Sequence, residues 1–363
     1  MIPSPRVLFT LLASGLIFSS SALADTYYDT SGVTNNSGVP IDITYWQGLR
    51  NYGNSTNLFF TGTASNNTDG LVYIGPITGV GGTAYIINAP GAATTSLYGP
   101  DNLTNGDVAV VGVYKTGTNA TNIVHGTIGQ GSLSDLSTGG GIWTTVDYTN
   151  ATHTYVHSMM GGYAVGNADT NLLEDPTNNE HAFIYNVATP GFEDVSFRFA
   201  TNIISTTLYG IWYNGGTSYT LAGGYATLLG GPNAFLVNWD SSGSGTNAFS
   251  DWASYTNVTH FEGISSVTPG VYTLSGDGPS SLLTVSTNND GTFDSGTLQV
   301  LTGPGGTNIS ANSVYGTNVV GITTPGSAFQ ATVSPIPEPS AVALLTLSLG
   351  SLVLLRLRSR VHG

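Results

Sequence analysis

Asn105-Gly106-Asp107-Val108-Ala109-Val110-Val111-Gly112-Val113-Tyr114 is the stretch that decides the fold. A glycine turn leads into a β-branched run that ends near a second glycine, and His125-Gly126-Thr127-Ile128 follows. The unit returns as Gly161-Gly162-Tyr163-Ala164-Val165-Gly166 with His181-Ala182-Phe183-Ile184-Tyr185, and as Tyr219-Thr220-Leu221-Ala222-Gly223 with Asn233-Ala234-Phe235-Leu236. A late copy is Ser313-Val314-Tyr315-Gly316-Thr317-Asn318-Val319-Val320-Gly321 with Ser327-Ala328-Phe329, and weaker ones centre on Gly62 and Gly276. The anchoring glycines Gly62, Gly112, Gly166, Gly223, Gly276 and Gly321 recur at intervals of 45 to 57 residues. A Ser/Thr-x-Tyr-Gly element also recurs, at Ser96–Gly99, Thr207–Gly210 and Ser313–Gly316.

Four strands of about six residues with their turns fill roughly 45 to 50 residues, the size of one propeller blade. Alternation such as that from Phe192 to Phe199 fits half-buried strands, and Asn-Gly, Asp-Gly and Gly-Gly pairs supply turns that need positive φ. The expectation is an all-β repeat architecture, a β-propeller of about six blades, with a β-helix or solenoid and β-sandwiches as the alternatives. Radial repetition protects strand edges in a chain with few charges to guard them.

Composition agrees. Only 8% of the 363 residues are charged, and with so few Lys, Glu and Arg the chain lacks the usual exposed-helix formers. Nineteen Tyr and 13 Phe spread through it argue against disorder. All but Glu338 of the 21 acidic residues lie between Asp25 and Asp294, where the only cations are Arg50, Lys115 and Arg198. Such a surface does not neutralise a row of phosphates, which excludes nucleic acid as a partner. The absence of cysteine excludes disulfides, thiolate metal sites and cysteine nucleophiles.

The ends carry address signals. Residues 1–24 hold one cation, Arg6, an apolar stretch from Val7 to Phe18, and Ala22-Leu23-Ala24, the pattern of a signal peptide cut by signal peptidase after Ala24. At the far end Pro337-Glu338-Pro339 precedes the apolar run 341–355 and then Arg356, Arg358 and Arg360, a basic stop of the positive-inside kind. Fifteen residues of helix cover about 22 Å, enough for a thin or locally deformed bilayer.

This tail, residues 335–363, resembles the PEP-CTERM sorting signal: a Pro-Glu-Pro motif, a short transmembrane helix and a basic terminus, in that order at the C-terminus. The resemblance implies recognition of Pro337, Glu338 and Pro339 by an exosortase-type membrane protease. It implies a precursor anchored in the inner membrane and a product at the cell surface or outside the cell. The body, residues 25–334, resembles loosely the HAF-type repeats of bacterial extracellular proteins, which bring no characterised activity.

Local chemistry is sparse. No nucleophile elbow, phosphate loop or dinucleotide fingerprint occurs. His153 and His157 sit in a strand-like stretch, and His125 and His181 hold equivalent repeat positions, which favours structural roles. Asn288–Asp294 has the look of a calcium loop, but Ser286 and Thr297 stand where its end ligands belong, so it reads as a hairpin turn. Asp169, Glu174, Asp175 and Glu180 mark an acidic insertion suited to a cation or to solvent. Calcium is thus the one ion considered, and no cofactor, metal ligand set or catalytic residue is assigned. Two functional expectations follow. The first is a non-enzymatic surface or matrix protein associated with exopolysaccharide or biofilm. The alternative is an exported polysaccharide-active enzyme, in which carboxylates from different repeats converge at a central pocket.

Overall fold

The computed structural model describes residues 25–117, 123–170, 180–195, 202–324 and 326–334. Asp25–Val333 forms one compact unit. The signal segment, the Pro-Glu-Pro motif, the 341–355 run and its arginines lie outside the described residues, as do Glu174, Asp175 and the second half of the Phe192–Phe199 alternation. Among the described residues no helix is long and apolar enough to cross a membrane.

The chain is all-β, and its strands fall into six successive antiparallel sets. Strand β1, Thr26–Tyr28, comes first but belongs to the last set. The first set is β2 Ile43–Asn51, β3 Leu58–Ala64, β4 Asp69–Gly75 and β5 Thr83–Ile86. The second is β6 Thr94–Asn102, β7 Val108–Lys115, β8 His125–Gly131 and β9 Ile142–Val146. The third is β10 Ala151–Met160, β11 Tyr163–Thr170, β12 Glu180–Asn186 and β13 Gly191–Asp194. The fourth is β14 Ile203–Gly215, β15 Ser218–Thr227, β16 Gly230–Asp240 and β17 Phe249–Tyr255. The fifth is β18 His260–Thr268, β19 Val271–Asp277, β20 Ser281–Ser286 and β21 Thr297–Val300. The sixth is β22 Ile309–Tyr315, β23 Asn318–Thr323 and β24 Ala328–Thr332, completed by β1, which pairs Thr26 with Thr332 and Tyr28 with Gln330. Single bridges, Glu180 to Ser205 and Gly224 to His260, join the middle three sets into one sheet.

The first strands pack on one another in order, β2 on β6 through to β18 on β22, and β22 packs back on β2. The result is propeller-like, and its within-set antiparallel pairing rules out the stacked parallel rungs of a β-helix. Six apolar clusters fill the six spaces between neighbouring sets. This explains the opening stretch. Val108 and Val110 face the first set while Ala109 and Val111 face the third, so β7 is apolar on both faces. The same division holds for Phe60 and Phe59, Val165 and Ala164, Leu221 and Ala222, and Val319 and Val320. Burial on both faces explains why the repeat signal is strongest in the second strands.

The repeated glycines have one geometric cause. Each lies on a second strand opposite a first-strand residue: Gly62 with Trp46, Gly112 with Leu97, Gly166 with Val156, Gly223 with Leu208, Gly276 with Phe261 and Gly321 with Ala311. A Cβ at Gly112, Gly166, Gly223 or Gly321 would collide with the backbone oxygen of Ser96, Tyr155, Thr207 or Ser310, and at Gly62 with that of Tyr45. Gly276 differs, because its nearest obstacle is the Val258 side chain.

The Ser/Thr-x-Tyr-Gly element splits on inspection. Ser96–Gly99 and Thr207–Gly210 occupy equivalent places in β6 and β14, but Ser313–Gly316 runs off the end of β22. The sixth-set equivalent is Ser310-Ala311-Asn312-Ser313, whose tyrosine has become asparagine.

Candidate functional site: the mouth of the central channel

Directly after each glycine-facing residue the first strand carries a β-bulge. The register slips between Trp46 and Gly48, Leu97 and Pro100, Val156 and Ser158, Leu208 and Gly210, Phe261 and Gly263, and Ala311 and Ser313. A bulge re-aims the extra residue's side chain. The extra residues, Gln47, Tyr98, His157, Tyr209, Glu262 and Asn312, meet at one cavity of about 300 Å³, to which Tyr45 adds an aromatic wall.

Below the cavity the channel is filled. Free space shrinks to about 10 Å³ beside Arg50, room for about one water. The Arg50 guanidinium is buried. Its Nη1 donates to Ile264 O at 3.0 Å, and its Nη2 donates to Ile211 O at 2.8 Å and to Ser158 Oγ at 3.2 Å. It also lies 5.2 Å from the centre of the Trp212 ring. Asp101 supplies the opposing charge and accepts from the Gly161 amide at 3.1 Å. Burial raises the Asp101 carboxyl to about 6, although Arg50 and two backbone amides pull it down. One side chain of the first set thereby reaches the third, fourth and fifth sets and balances a charge of the second. Sequence reading left Arg50 unassigned. Its only signal was rarity, a cation inside a β-run of a nearly cation-free body.

A histidine of the mouth and one beside it are shifted in opposite directions. His157 Nε2 and Asn167 Oδ1 are 2.7 Å apart, and the ring packs against Tyr98, Tyr155 and Tyr209. Burial pushes its pKa down to about 3, so it stays neutral. His260 is also pulled down by burial, but its hydrogen bond to Glu262 and the charges of Glu262, Asp277 and Glu180 win, and its pKa is raised. Hydrogen bonding agrees. The single proton of the Thr259 hydroxyl goes to Asp277 O, so toward His260 Nδ1, 3.0 Å away, that oxygen accepts. Nε2 faces the Glu262 carboxylate at 2.6 Å, and both ring nitrogens are donors.

His260, Glu262 and Asp277 place ligand-type atoms within 4.8 Å of one another, and both ring nitrogens of His260 are already engaged, Nδ1 with Thr259 and Nε2 with Glu262. Carboxylate charge from two sets acts on one tyrosine of this rim. The charges of Glu262 and Glu180 both act on Tyr209, which burial holds well above the usual tyrosine range. Glu180 accepts from Ser205 Oγ at 2.5 Å, and burial together with Glu180 raises Asp169.

The other sequence candidates divide clearly. His153 and His157 share a strand, as expected, but only His157 reaches the cavity. His153 Nδ1 accepts from the Val124 amide at 3.0 Å. His125 and His181 start equivalent third strands, with His125 bonded to Asp147 and His181 stacked near Tyr148. The Asn288–Asp294 segment is a hairpin turn. Asp290 accepts from Thr292, and Asp294 accepts from the Ser286 and Gly296 amides. Sequence reading found Tyr98 and Tyr209 as part of a recurring element but did not join them to Glu262 and His260, because the repeat scan follows what recurs and the fifth set carries no tyrosine at that place.

No family model matches the sequence, and no curated protein matches it. Several solved structures are similar to this chain. A gluconolactonase of Xanthomonas campestris is 10% identical over 86% of this chain and 98% of its own, with a TM-score of 0.46. An α-L-arabinofuranosidase of Lactobacillus brevis is 8% identical over 69% and 94%, with a TM-score of 0.45. The nidogen/laminin complex gives 13% over 77% and 90%, with a TM-score of 0.46. At these identities and TM-scores none carries an argument about what this chain does. The fold and site define a propeller-like all-β protein with a plugged channel and one polar, aromatic mouth.

Proposed function

We propose that this chain is an exported cell-envelope protein whose body is a six-bladed β-propeller closed by its N-terminal strand, and that the channel mouth binds a saccharide unit of an exopolysaccharide. One observation carries the binding reading: the six equivalent bulge positions, structurally interchangeable, hold Gln, Tyr, His, Tyr, Glu and Asn only where they face the cavity. A purely architectural channel has no need of five kinds of polar group at six equivalent places. Tyrosine faces stack on the C–H faces of a sugar ring, while Gln47, Glu262 and the tyrosine hydroxyls pair with its hydroxyls. The cavity is at the small end of ligand sites, the size for one sugar residue. Isothermal titration of the released body with exopolysaccharide fragments tests this. Tyr209→Phe and Glu262→Gln are expected to weaken binding about tenfold or more, and unchanged affinity in both variants would remove the mouth as the site.

Export and processing rest on the terminal signals. The mature protein is expected to start near Asp25 and to lack the segment beyond Pro337-Glu338-Pro339, with Glu338→Ala holding the precursor in the inner membrane. Intact-mass measurement of surface-released protein reads this directly, and a species retaining Arg356 to Gly363 contradicts it.

A second reading, hydrolysis of the bound polysaccharide, is favoured by the carboxylates of Glu262 and Glu180 approaching Tyr209 and His260 from different sets. New reducing ends that vanish in Glu262→Gln while binding persists in a weakened form support it. Binding without new ends leaves the protein a binder.

A further inference from the structure

A second cavity, of about 550 Å³, opens beside the mouth and shares Tyr45 and Tyr98 with it. It runs over the start of β6 and the end of β7, with Asn66 and Asn67 on one bank and Tyr114, Lys115 and Tyr155 on the other. Its near bank is unusual in backbone. Ser65, Asn66 and Asn67 hold φ of 54°, 57° and 71°, three successive left-handed residues without a glycine. The turn leaves both asparagine side chains exposed at the cavity edge.

Charge is distributed unevenly around this double cavity. Glu180, Asp169, Glu262 and Asp277 stand on the third and fifth sets. Among the described residues the basic side chains are Arg50, buried in the plug, and Lys115, which is half-buried in the groove. Among the described residues Lys115 makes no ion pair or hydrogen bond through its ammonium, although the body carries nearly all of the chain's 21 acidic residues. A free ammonium in a concave, tyrosine-lined groove is a receptor for an anion, and the acidic far side of the mouth repels one.

We propose that the groove is a second saccharide subsite and that it takes an acidic sugar, a hexuronate whose carboxylate pairs with Lys115. The polymer then lies in one direction, with a neutral residue in the mouth and the uronate in the groove across Tyr45 and Tyr98. This deepens the saccharide-binding reading of the mouth and rests on it.

Titration calorimetry tests it with paired tetrasaccharides of the gluco, manno and galacto series, each in neutral form and with C6 oxidised to the carboxylate. Wild-type protein is expected to bind the carboxylate member of at least one pair about fivefold more tightly than its neutral twin at low salt. That preference should vanish in Lys115→Gln and in 0.5 M salt. Equal affinity for the two members of every pair, or a preference that survives in Lys115→Gln, overturns the groove assignment and leaves the mouth reading intact. Failure of every tetrasaccharide, neutral and acidic, to bind overturns both.

Discussion

The two levels of the central channel are built from the same six strands and follow opposite rules. At the base, Arg50 gathers carbonyl and hydroxyl oxygens from three other sets into one buried, charge-balanced knot. At the mouth, six bulged positions carry six separately chosen groups, five of them half-buried, around open space. The base turns the two terminal nitrogens of Arg50 inward to protein oxygens, leaving its Nε without a partner, whereas the mouth lines open space with side chains such as Tyr45 and Tyr209. The difference separates what holds the ring from what the ring presents.

The largest expected effect is at the base. Arg50→Met removes the cation that offsets Asp101 and the bonds to three sets, and should cost about 3–5 kcal/mol, read as a shift of the urea midpoint. A near-neutral result would mean the ring closes without its knot. Next come the glycines. Gly223→Ala drives a methyl into the Thr207 carbonyl, for a loss of about 2–3 kcal/mol, whereas Gly276→Ala meets only the Val258 side chain and should cost less. Equal costs would break the backbone-collision account of the repeat.

Acid titration separates the two levels by sign. Asp101, raised to about 6, keeps its proton in the native state at pH values where the unfolded carboxyl has lost it. Its contribution therefore declines as pH rises from about 4 to 6, by on the order of 2 kcal/mol, and Asp101→Asn should remove that slope. His157, lowered to about 3, refuses a proton that the unfolded chain takes up below about 6.5. It destabilises the fold as pH falls from about 6.5 to about 3, and His157→Asn should remove that loss. Denaturation midpoints from pH 3 to 7 on the two variants resolve the opposing slopes. The smallest stability effect belongs to Glu262→Gln, about 1 kcal/mol from weakening the His260 pair, despite its large expected effect on binding.

The base–mouth contrast also explains what the sequence disclosed. The glycine period was readable because a backbone oxygen excludes any Cβ at five of the six positions, so the residue type had to recur. The apolar runs were readable because second strands such as β7 are buried on both sides. The mouth was mostly hidden for the opposite reason: a bulge tolerates any side chain that points into open space, so Tyr98 and Tyr209 share the Ser/Thr-x-Tyr-Gly pattern while Gln47, His157, Glu262 and Asn312 share only the place. The misplaced Ser313–Gly316 element shows the hazard. A tyrosine-glycine pair matched by spelling lay past the bulge, while the true counterpart, Asn312-Ser313, matched only by position.

Hydrogen–deuterium exchange with and without a bound exopolysaccharide fragment tests the central claim most directly. The account predicts new protection at the six bulged segments, around residues 45–48, 96–99, 155–158, 207–210, 260–263 and 310–313, and none around Trp212 in the plug. Protection confined to outer strands such as β5, β9 or β17, with the bulged segments unchanged, would contradict it.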